Sequence, residues 1–453
     1  MKKTKGYLRS LERKQWVSGK VIVGIDPAKE KHQAVVLDEH RMQRGRAFSF
    51  SRTYEGYNKT LWEKLDGLLG VYGPDSLVFA VETACDLWKT IVDYLFRQGY
   101  TVLLVNPLTT YHSRPLMDHD YSKTDPKDAL LVATNAHNGH YREYKKYSAS
   151  INNLHRLSIT YNKLLQDRQA VILRIMAFME EVFPEYIMCL NVEIETSLYL
   201  LEQYFLPEHF QTLNIEEHEK QIRKISNGNH KADTLQKIKE HAHSSIGKSV
   251  EGGEEGTLRL ILDGWIGELR QLIKSIKAVK KAMIELASET EYFEILVSVP
   301  GISELTASRF IAECRDLDLF CHYKQIEKMA GSNVRLCDSG KYAGTRRING
   351  IGNKRLLNLI YVMTCNAARF TPEVRIKFLR RQMKRKSYRK NIFAASSILL
   401  RLMMSLIKDN RTYEVREESL KELEKLEKKY NPEKKEKKKS RKRNKKKPLK
   451  KAA

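Results

Sequence analysis

Cysteine is scarce in this chain and unpatterned. The six residues Cys85, Cys189, Cys314, Cys321, Cys337 and Cys365 include no C-x-x-C spacing, which argues against a zinc site and a disulfide framework and predicts reduced thiols. Long apolar runs are lacking too: no stretch approaches the roughly 18 consecutive apolar residues of a membrane span, so no membrane partner is expected. The opening "MKKTKGYLRSLERKQWVSGK" is basic but has no apolar h-region of the kind a secretory signal carries, and a cytoplasmic protein is expected.

Acidic charge is also in short supply. Lys and Arg number 81 against 55 Asp and Glu, a formal net charge of +26 over 453 residues. Between Lys434 and Lys451 there are 13 basic residues and one acid, which leaves +14 for the rest. A body that stays basic without its tail calls for a polyanionic partner, most simply nucleic acid. The length suits two or three domains, with ample apolar material for their cores.

Strand signals dominate the first third. "VIVGID", "HQAVVLD" and "RAFSFSRT" are rich in β-branched or aromatic residues, are bounded by polar breaks, and predict a three-strand meander. A helical stretch from Tyr57 to Leu69, the strand "SLVFAVE", a helix from Leu87 to Gln98, the strand "TVLLVN" and a helix beginning near Asp125 follow. The order βββαβαβα predicts a mixed α/β domain over 21–150 with helices on the sheet faces, preceded by a basic arm over 1–20.

Beyond 150 the strand signals stop. Leu154, Leu157, Tyr161, Leu164, Arg168, Val171, Ile175, Phe178 and Val182 step by three and four, the heptad seam of a long helix that Pro184 ends. Leu258, Leu262, Trp265, Leu269, Leu272, Ile276, Val279, Met283 and Leu286 repeat the pattern. Two such helices predict an antiparallel coiled coil over 151–290, or a seam against another copy of the chain. Between them, Glu185 to Gly256 reads as a polar helical insertion with a flexible exit at "EGGEEG". A mostly helical domain is expected over 291–413, and 414–453 reads as a charged helix running into a disordered Lys-rich tail.

Two groups of residues can carry chemistry. Asp26 ends "VIVGID", Glu82 ends "VFAVE", and Asp125 and Asp128 stand three apart in "YSKTDPKDALL", a spacing that puts both on one helix face. Each is also open to a plainer reading: an Asp after a strand is a common turn residue, and Asp125 before Pro126 suits a helix N-cap. Together they could form an oxygen cage for one or two Mg²⁺ ions, and two metals can activate a nucleophile and stabilise a leaving oxygen in phosphoryl transfer. An acid on the first strand of a meander, another on the fourth strand and a pair on a late helix is the arrangement of RNase H-like nucleases.

The second group is "NVRLCDSGKYAGTRRINGIGNKR", where Arg335, Lys341, Arg346, Arg347, Lys354 and Arg355 surround Ser339 amid glycines. Glycines let the backbone approach a ligand and the basic side chains neutralise phosphate. On residue type alone Ser339 is either a loop serine or a nucleophile. Upstream, "SVPGISELTASRFIAE" resembles a helix-hairpin-helix whose Pro300-Gly301-Ile302 turn offers backbone N–H groups to a DNA phosphate, although an ordinary Pro-Gly turn has the same look.

"GIDPAKEKHQAVVLD", "VFAVET", "YSKTDPKDALLVA", "VPGISELTASRFIAE" and "MAGSNVRLCDSGKYAGTRRINGIGNKRLLNLIYVMTCNAAR", in this order, resemble the IS-one-ten family of insertion-sequence transposases, over about Val21 to Tyr413. The family includes bridge-RNA-guided recombinases and the related pilin-gene DNA invertases. The resemblance implies an RNase H-like (RuvC-like) DEDD domain with Asp26, Glu82, Asp125 and Asp128 as Mg²⁺ ligands, a coiled coil, and a helical transposase domain whose Ser339 attacks the DNA backbone to give a covalent phosphoserine link. It further implies double-stranded donor and target DNA, a structured non-coding bridge RNA that selects them, and a homo-oligomer, dimer to tetramer, working near the nucleoid of a bacterium or archaeon. Two departures stand out: Gly350-Ile351 replaces a basic pair, and "AGS" puts a second serine, Ser332, seven residues before Ser339. A RuvC-like junction nuclease, with water as nucleophile and Ser339 structural, is the alternative enzyme, and a nucleic-acid-binding scaffold is the non-enzymatic one.

Overall fold

The computed structural model describes residues 5–69, 75–251, 253–335, 338–339, 342–343, 347–385 and 387–430. They fall into two compact units, 1–146 and 147–453.

The first unit is built on a six-stranded mixed sheet. Its strands are β1 (Val21–Asp26), β2 (Lys31–Leu37), β3 (Gln43–Ser51), β4 (Leu77–Glu82), β5 (Thr101–Val105) and β6 (Arg142–Glu143), in the spatial order β3-β2-β1-β4-β5-β6. The meander runs antiparallel, whereas β1, β4 and β5 are parallel to one another. Among the described residues six α-helices accompany it: α1 (Lys5–Val17), α2 (Leu61–Leu69), α3 (Trp88–Arg97), α4 (Pro107–Ser113), α5 (Pro115–Asp118) and α6 (Asp125–His137). The central strands are apolar at nearly every position because both faces are covered. Val21, Val23, Ile25, Phe79 and Val81 pack with Leu61, Ile91 and Leu95 of α2 and α3. Ile22, Val78 and Ala80 pack with Ala129, Val132, Ala133 and Ala136 of α6 and with Val17 of α1. The basic arm expected over 1–20 is thus largely helix α1, whose Trp16 ring lies 6.3 Å from that of Tyr141.

The second unit is helical. Two 34-residue helices, α7 (Ala149–Val182) and α13 (Glu255–Ser288), pack along each other. They run antiparallel: Leu154 and Tyr161 share a core with Met283 and Ala287, while Val171, Ile175 and Phe178 share another with Leu262 and Leu269. The segment between them folds as α8 (Pro184–Cys189), α9 (Glu195–Leu201), α10 (Pro207–Gln211), α11 (Ile215–Ile225) and α12 (Ala232–His243). It is less polar inside than its composition suggests, because Phe183, Tyr186, Phe205 and Phe210 are fully buried. The flexible exit expected through Gly256 is shorter than expected, since α13 already begins at Glu255.

The other core holds α14 (Tyr292–Val297), α15 (Glu304–Cys314), α16 (Tyr323–Ala330), α17 (Lys354–Phe370), α18 (Pro372–Gln382) and α19 (Tyr388–Lys408). Helix α19 is long and apolar enough to cross a membrane by length and composition, but Ile392, Leu399, Leu400 and Met403 are buried in this core. The charged helix expected after 413 is α20 (Glu417–Tyr430); it has no buried residue and is held to α18 by Arg375–Glu427 and Arg380–Glu422 ion pairs. The Lys-rich tail lies outside the described residues.

Candidate active site

In the first unit the parallel register pairs Ile25 with Val81, so that Asp26 and Glu82, the next residue of each strand, stand side by side at the carboxyl edge of the sheet. Ligand sites of open α/β sheets form at this edge. Both residues follow the alternation onto the α6 face, where Asp128 is buried. Gly24 is what lets α6 come so close. A Cβ at that position would stand 2.3 Å from the Ala129 carbonyl oxygen and 2.7 Å from the Ala133 Cβ.

Three carboxylates therefore meet with little counter-charge. Burial, reinforced by the Glu82 and Asp128 charges, pushes the Asp26 carboxyl up to about 7. Protonated Asp26 donates to the Glu82 carboxylate. Burial also raises Glu82, against the pull of the Thr110 hydroxyl, the Asp26 bond and Arg114. Asp128 is held differently: Arg114 Nε donates to its Oδ1 and Nη2 to its Oδ2, both at 2.9 Å. This ion pair is secluded, the Arg114 side chain being 13% exposed and that of Asp128 1%.

Asp125 departs from the sequence expectation. Thr124, in extended conformation, is the N-cap residue of α6, and Asp125 is an exposed residue of the first turn. Asp26, Glu82 and Asp128 are thus brought together, and Asp125 is not packed among them.

A cluster of hard oxygen donors in which burial and neighbouring acids raise Asp26 and Glu82 suits a divalent, oxygen-preferring cation. Among the described residues, no three His, Cys, Asp or Glu side chains are already disposed around one point as ligands. Both Asp128 oxygens lie on Arg114. Sequence reasoning missed Arg114 and Thr110, because a lone Arg before Pro115 and a Thr in a seven-residue helix have no periodicity or motif to mark them.

In the second unit, Ser339 lies on a small ribbon. Strand β7 (Val334–Arg335) pairs with β10 (Arg347–Ile348), and inside them β8 (Asp338–Ser339) pairs with β9 (Tyr342–Ala343), all antiparallel. Ser339 pairs with Tyr342, the last described rung of that pair. The feet of the ribbon are closed by backbone bonds: Asn349 N to Asn333 O and Gly350 N to Gly331 O, both 2.8 Å, and Asn353 N to Met329 O at 2.8 Å. Ser332 belongs to this base. It is buried, its N–H donates to the Glu327 carbonyl at 2.9 Å, and its hydroxyl donates to the same oxygen at 3.3 Å.

The basic residues separate by role. Arg335 and Arg347 are exposed and directly opposite each other across the β7–β10 pair. Lys354 donates its ammonium to the Gly350 carbonyl. Arg355 Nε donates to Glu313 Oε1 at 2.8 Å, a carboxylate that also accepts from Ser158 Oγ and Asn353 Nδ2. Those partners hold Glu313 below the usual carboxylate range despite its burial. Lys341 and Arg346 lie outside the described residues.

The Pro300-Gly301-Ile302 turn joins α14 to α15. Gly301 has φ +93°, and a Cβ there would come within 2.9 Å of the Asn366 backbone, so packing against α17 by itself accounts for the glycine. Thr371 Oγ1 fastens the same turn by donating to the Pro300 carbonyl at 2.7 Å.

Two family models match the chain. One, for the DEDD domain of IS110 elements and described as "Transposase", covers residues 23–184, the segment with the strand-end acids and α6. The other, "Transposase IS116/IS110/IS902 family", covers residues 293–378, from α14 through the Ser339 ribbon into α18. Together they span more than half of the chain. No curated protein matches it.

Proposed function

The chain belongs to the IS110 family of transposases, and we propose that it cleaves and rejoins DNA through a phosphoserine link on Ser339, with carboxylates of an RNase H-like domain holding Mg²⁺. The observation that carries the reading is the meeting of Asp26, Glu82 and Asp128 at the carboxyl edge of a sheet ordered β3-β2-β1-β4-β5. Asp26 and Glu82 would hold the metal first and Asp128 would complete the set, with Asp125 of the first turn as a fourth, water-side ligand. Bound there, Mg²⁺ supplies positive charge to a phosphoryl group in transfer.

The serine step needs no stored cofactor energy. Ser339 Oγ bonds to phosphorus as the P–O bond to the departing strand end breaks, and the serine proton ends on that strand's hydroxyl. Rejoining runs the same exchange backwards. Arg335 and Arg347, exposed at the foot of the ribbon, are suited to holding backbone phosphates. Ser332 is the weaker candidate, since its hydroxyl is already spent on a carbonyl in a buried site.

Duplex DNA is the substrate, in the cytoplasm, and a structured bridge RNA that pairs with donor and target would explain a basic body with no base-reading motif. We further propose a homo-oligomer of two to four copies in which α7 and α13 form the coiled coil. The deciding experiment incubates purified protein and its co-purifying RNA with duplex DNA, digests both, and looks by mass spectrometry for a nucleotide adduct on Ser339. Ser339→Ala is expected to abolish adduct and strand exchange. Cleavage that survives in Ser339→Ala would favour instead the junction nuclease with water as nucleophile.

A further inference from the structure

We infer that Arg114 is a displaceable stand-in for a cation at Asp128, so that a divalent metal and this guanidinium compete for the same carboxylate. The inference rests on the metal-site reading above. Arg114 uses its fork on both Asp128 oxygens at once, at 2.9 Å each. With the Asp128 side chain 1% exposed, a cation has no approach to it from solvent while Arg114 is in place. The guanidinium also faces Glu82 and Asp26, and Lys123 adds a further positive charge near Asp26 without contacting Asp128 in this way. Asp128 must therefore leave at least one Arg114 nitrogen before it can turn an oxygen toward the Asp26–Glu82 pair.

The arm bearing Arg114 is lightly packed. Arg114 lies between α4 and α5, helices of seven and four residues, and α5 closes on His119 in left-handed conformation, φ +57°. Leu108, Tyr111, Leu116 and Met117 on these helices are exposed; Thr110 is fully buried, and Ser113 Oγ donates to Asn135 Oδ1 of α6 at 2.9 Å. Shifting such an arm disturbs little core packing, whereas α6, which carries Asp128, is packed on the sheet through Ala129, Val132, Ala133 and Ala136. The side chain that yields is thus Arg114.

Calorimetric titration with Mg²⁺, and electron paramagnetic resonance titration with Mn²⁺, on the full chain after chelator dialysis tests this. Arg114→Met is expected to bind either ion roughly ten- to a hundredfold more tightly than the parent chain, the range expected when a competing bidentate charged bond is removed. Arg114→Lys should fall between, because an ammonium lacks the fork. Without metal, Arg114→Met should melt lower than the parent and regain more on adding Mg²⁺. Equal or weaker binding in Arg114→Met would overturn the inference, since Arg114 would then be a support that aims Asp128. Should Arg114→Met fail to fold by near-ultraviolet circular dichroism, Arg114→Lys decides on the same criterion. Parent binding that is lost in Asp128→Asn but unchanged in the Arg114 variants keeps the metal site and removes only the stand-in. If all the folded proteins ignore millimolar Mn²⁺, the metal-site reading falls and the inference with it.

Discussion

Replacing Asp26 by Asn should make the metal-free protein more stable at pH 8, although it removes a carboxylate from the middle of the site. Burial and the charges of Glu82 and Asp128 move Asp26 from 3.8 to about 7. Counted in full at about 1.4 kcal/mol per tenfold change, this is about 4 kcal/mol. Asp26 is only half-buried and shares its proton with Glu82, so solvent screening lowers the expected effect to about 2 kcal/mol. Folded Asp26 keeps its proton to higher pH than the unfolded chain does. The stability linked to that proton is fully present below about pH 4 and is lost as pH rises through about 7. Asn supplies a neutral donor at every pH, so the two proteins should converge near pH 4 and separate toward pH 8. Trp16, Trp62 and Trp88 lie in the first unit and Trp265 in the second. In a Trp265→Phe background, tryptophan fluorescence therefore reports unfolding of the first unit. The midpoint of Asp26→Asn should rise by about 5 °C at pH 8 in chelator, and millimolar Mg²⁺ should close the gap by stabilising the parent alone. A variant no more stable at pH 8, or a gap that stays constant from pH 5 to 8, would refute the reasoning.

Gly24→Ala puts a methyl 2.3 Å from the Ala129 carbonyl; it should cost about 3 kcal/mol and weaken Mg²⁺ binding, read by the same melts and by calorimetry. Ser332→Ala removes one 3.3 Å bond to Glu327; it should cost about 1 kcal/mol in denaturant unfolding and leave the Ser339 adduct intact. Arg335→Gln should lower the slope of log affinity for duplex DNA against log salt by about one, measured by fluorescence anisotropy, as loss of one phosphate contact would. Arg355→Gln should leave that slope unchanged and instead destabilise the second unit by about 2–4 kcal/mol, because it strands the buried Glu313.

The strand-end acids were legible because two strand signals end on them. The β-branched and aromatic runs "VIVGID" and "LVFAVE", bounded by polar breaks, located the strands to within a residue, and parallel strands of equal length carry their last residues to one edge. Asp125 shows where spacing runs out. Two residues three apart share a helix face, but the first belongs to an end that water reaches and the second to a turn packed on Gly24, so one is exposed and the other buried. The heptad seams located α7 and α13 through Leu154, Phe178, Leu262 and Met283. They also ranked Arg168 with these, which instead reaches Glu193 at 2.6 Å.

What composition could not do was divide the basic cluster around Ser339. Charge counting treats Arg335, Arg347, Lys354 and Arg355 as one cradle, because a sequence gives the sign of a side chain and not its partner. The partners make them unequal. Arg355 belongs to a buried network that ties α7, α15 and the start of α17 around Glu313, and Lys354 closes its own loop. Arg335 and Arg347 face each other across an antiparallel rung, where like charges repel by a few tenths of a kcal/mol to about 1 kcal/mol. Repulsion of that size is readily reversed by one phosphate between them. Among the described residues, the side chains proposed to meet a phosphate are therefore fewer than the charge count, and they are the two arginines that the fold opposes across one rung.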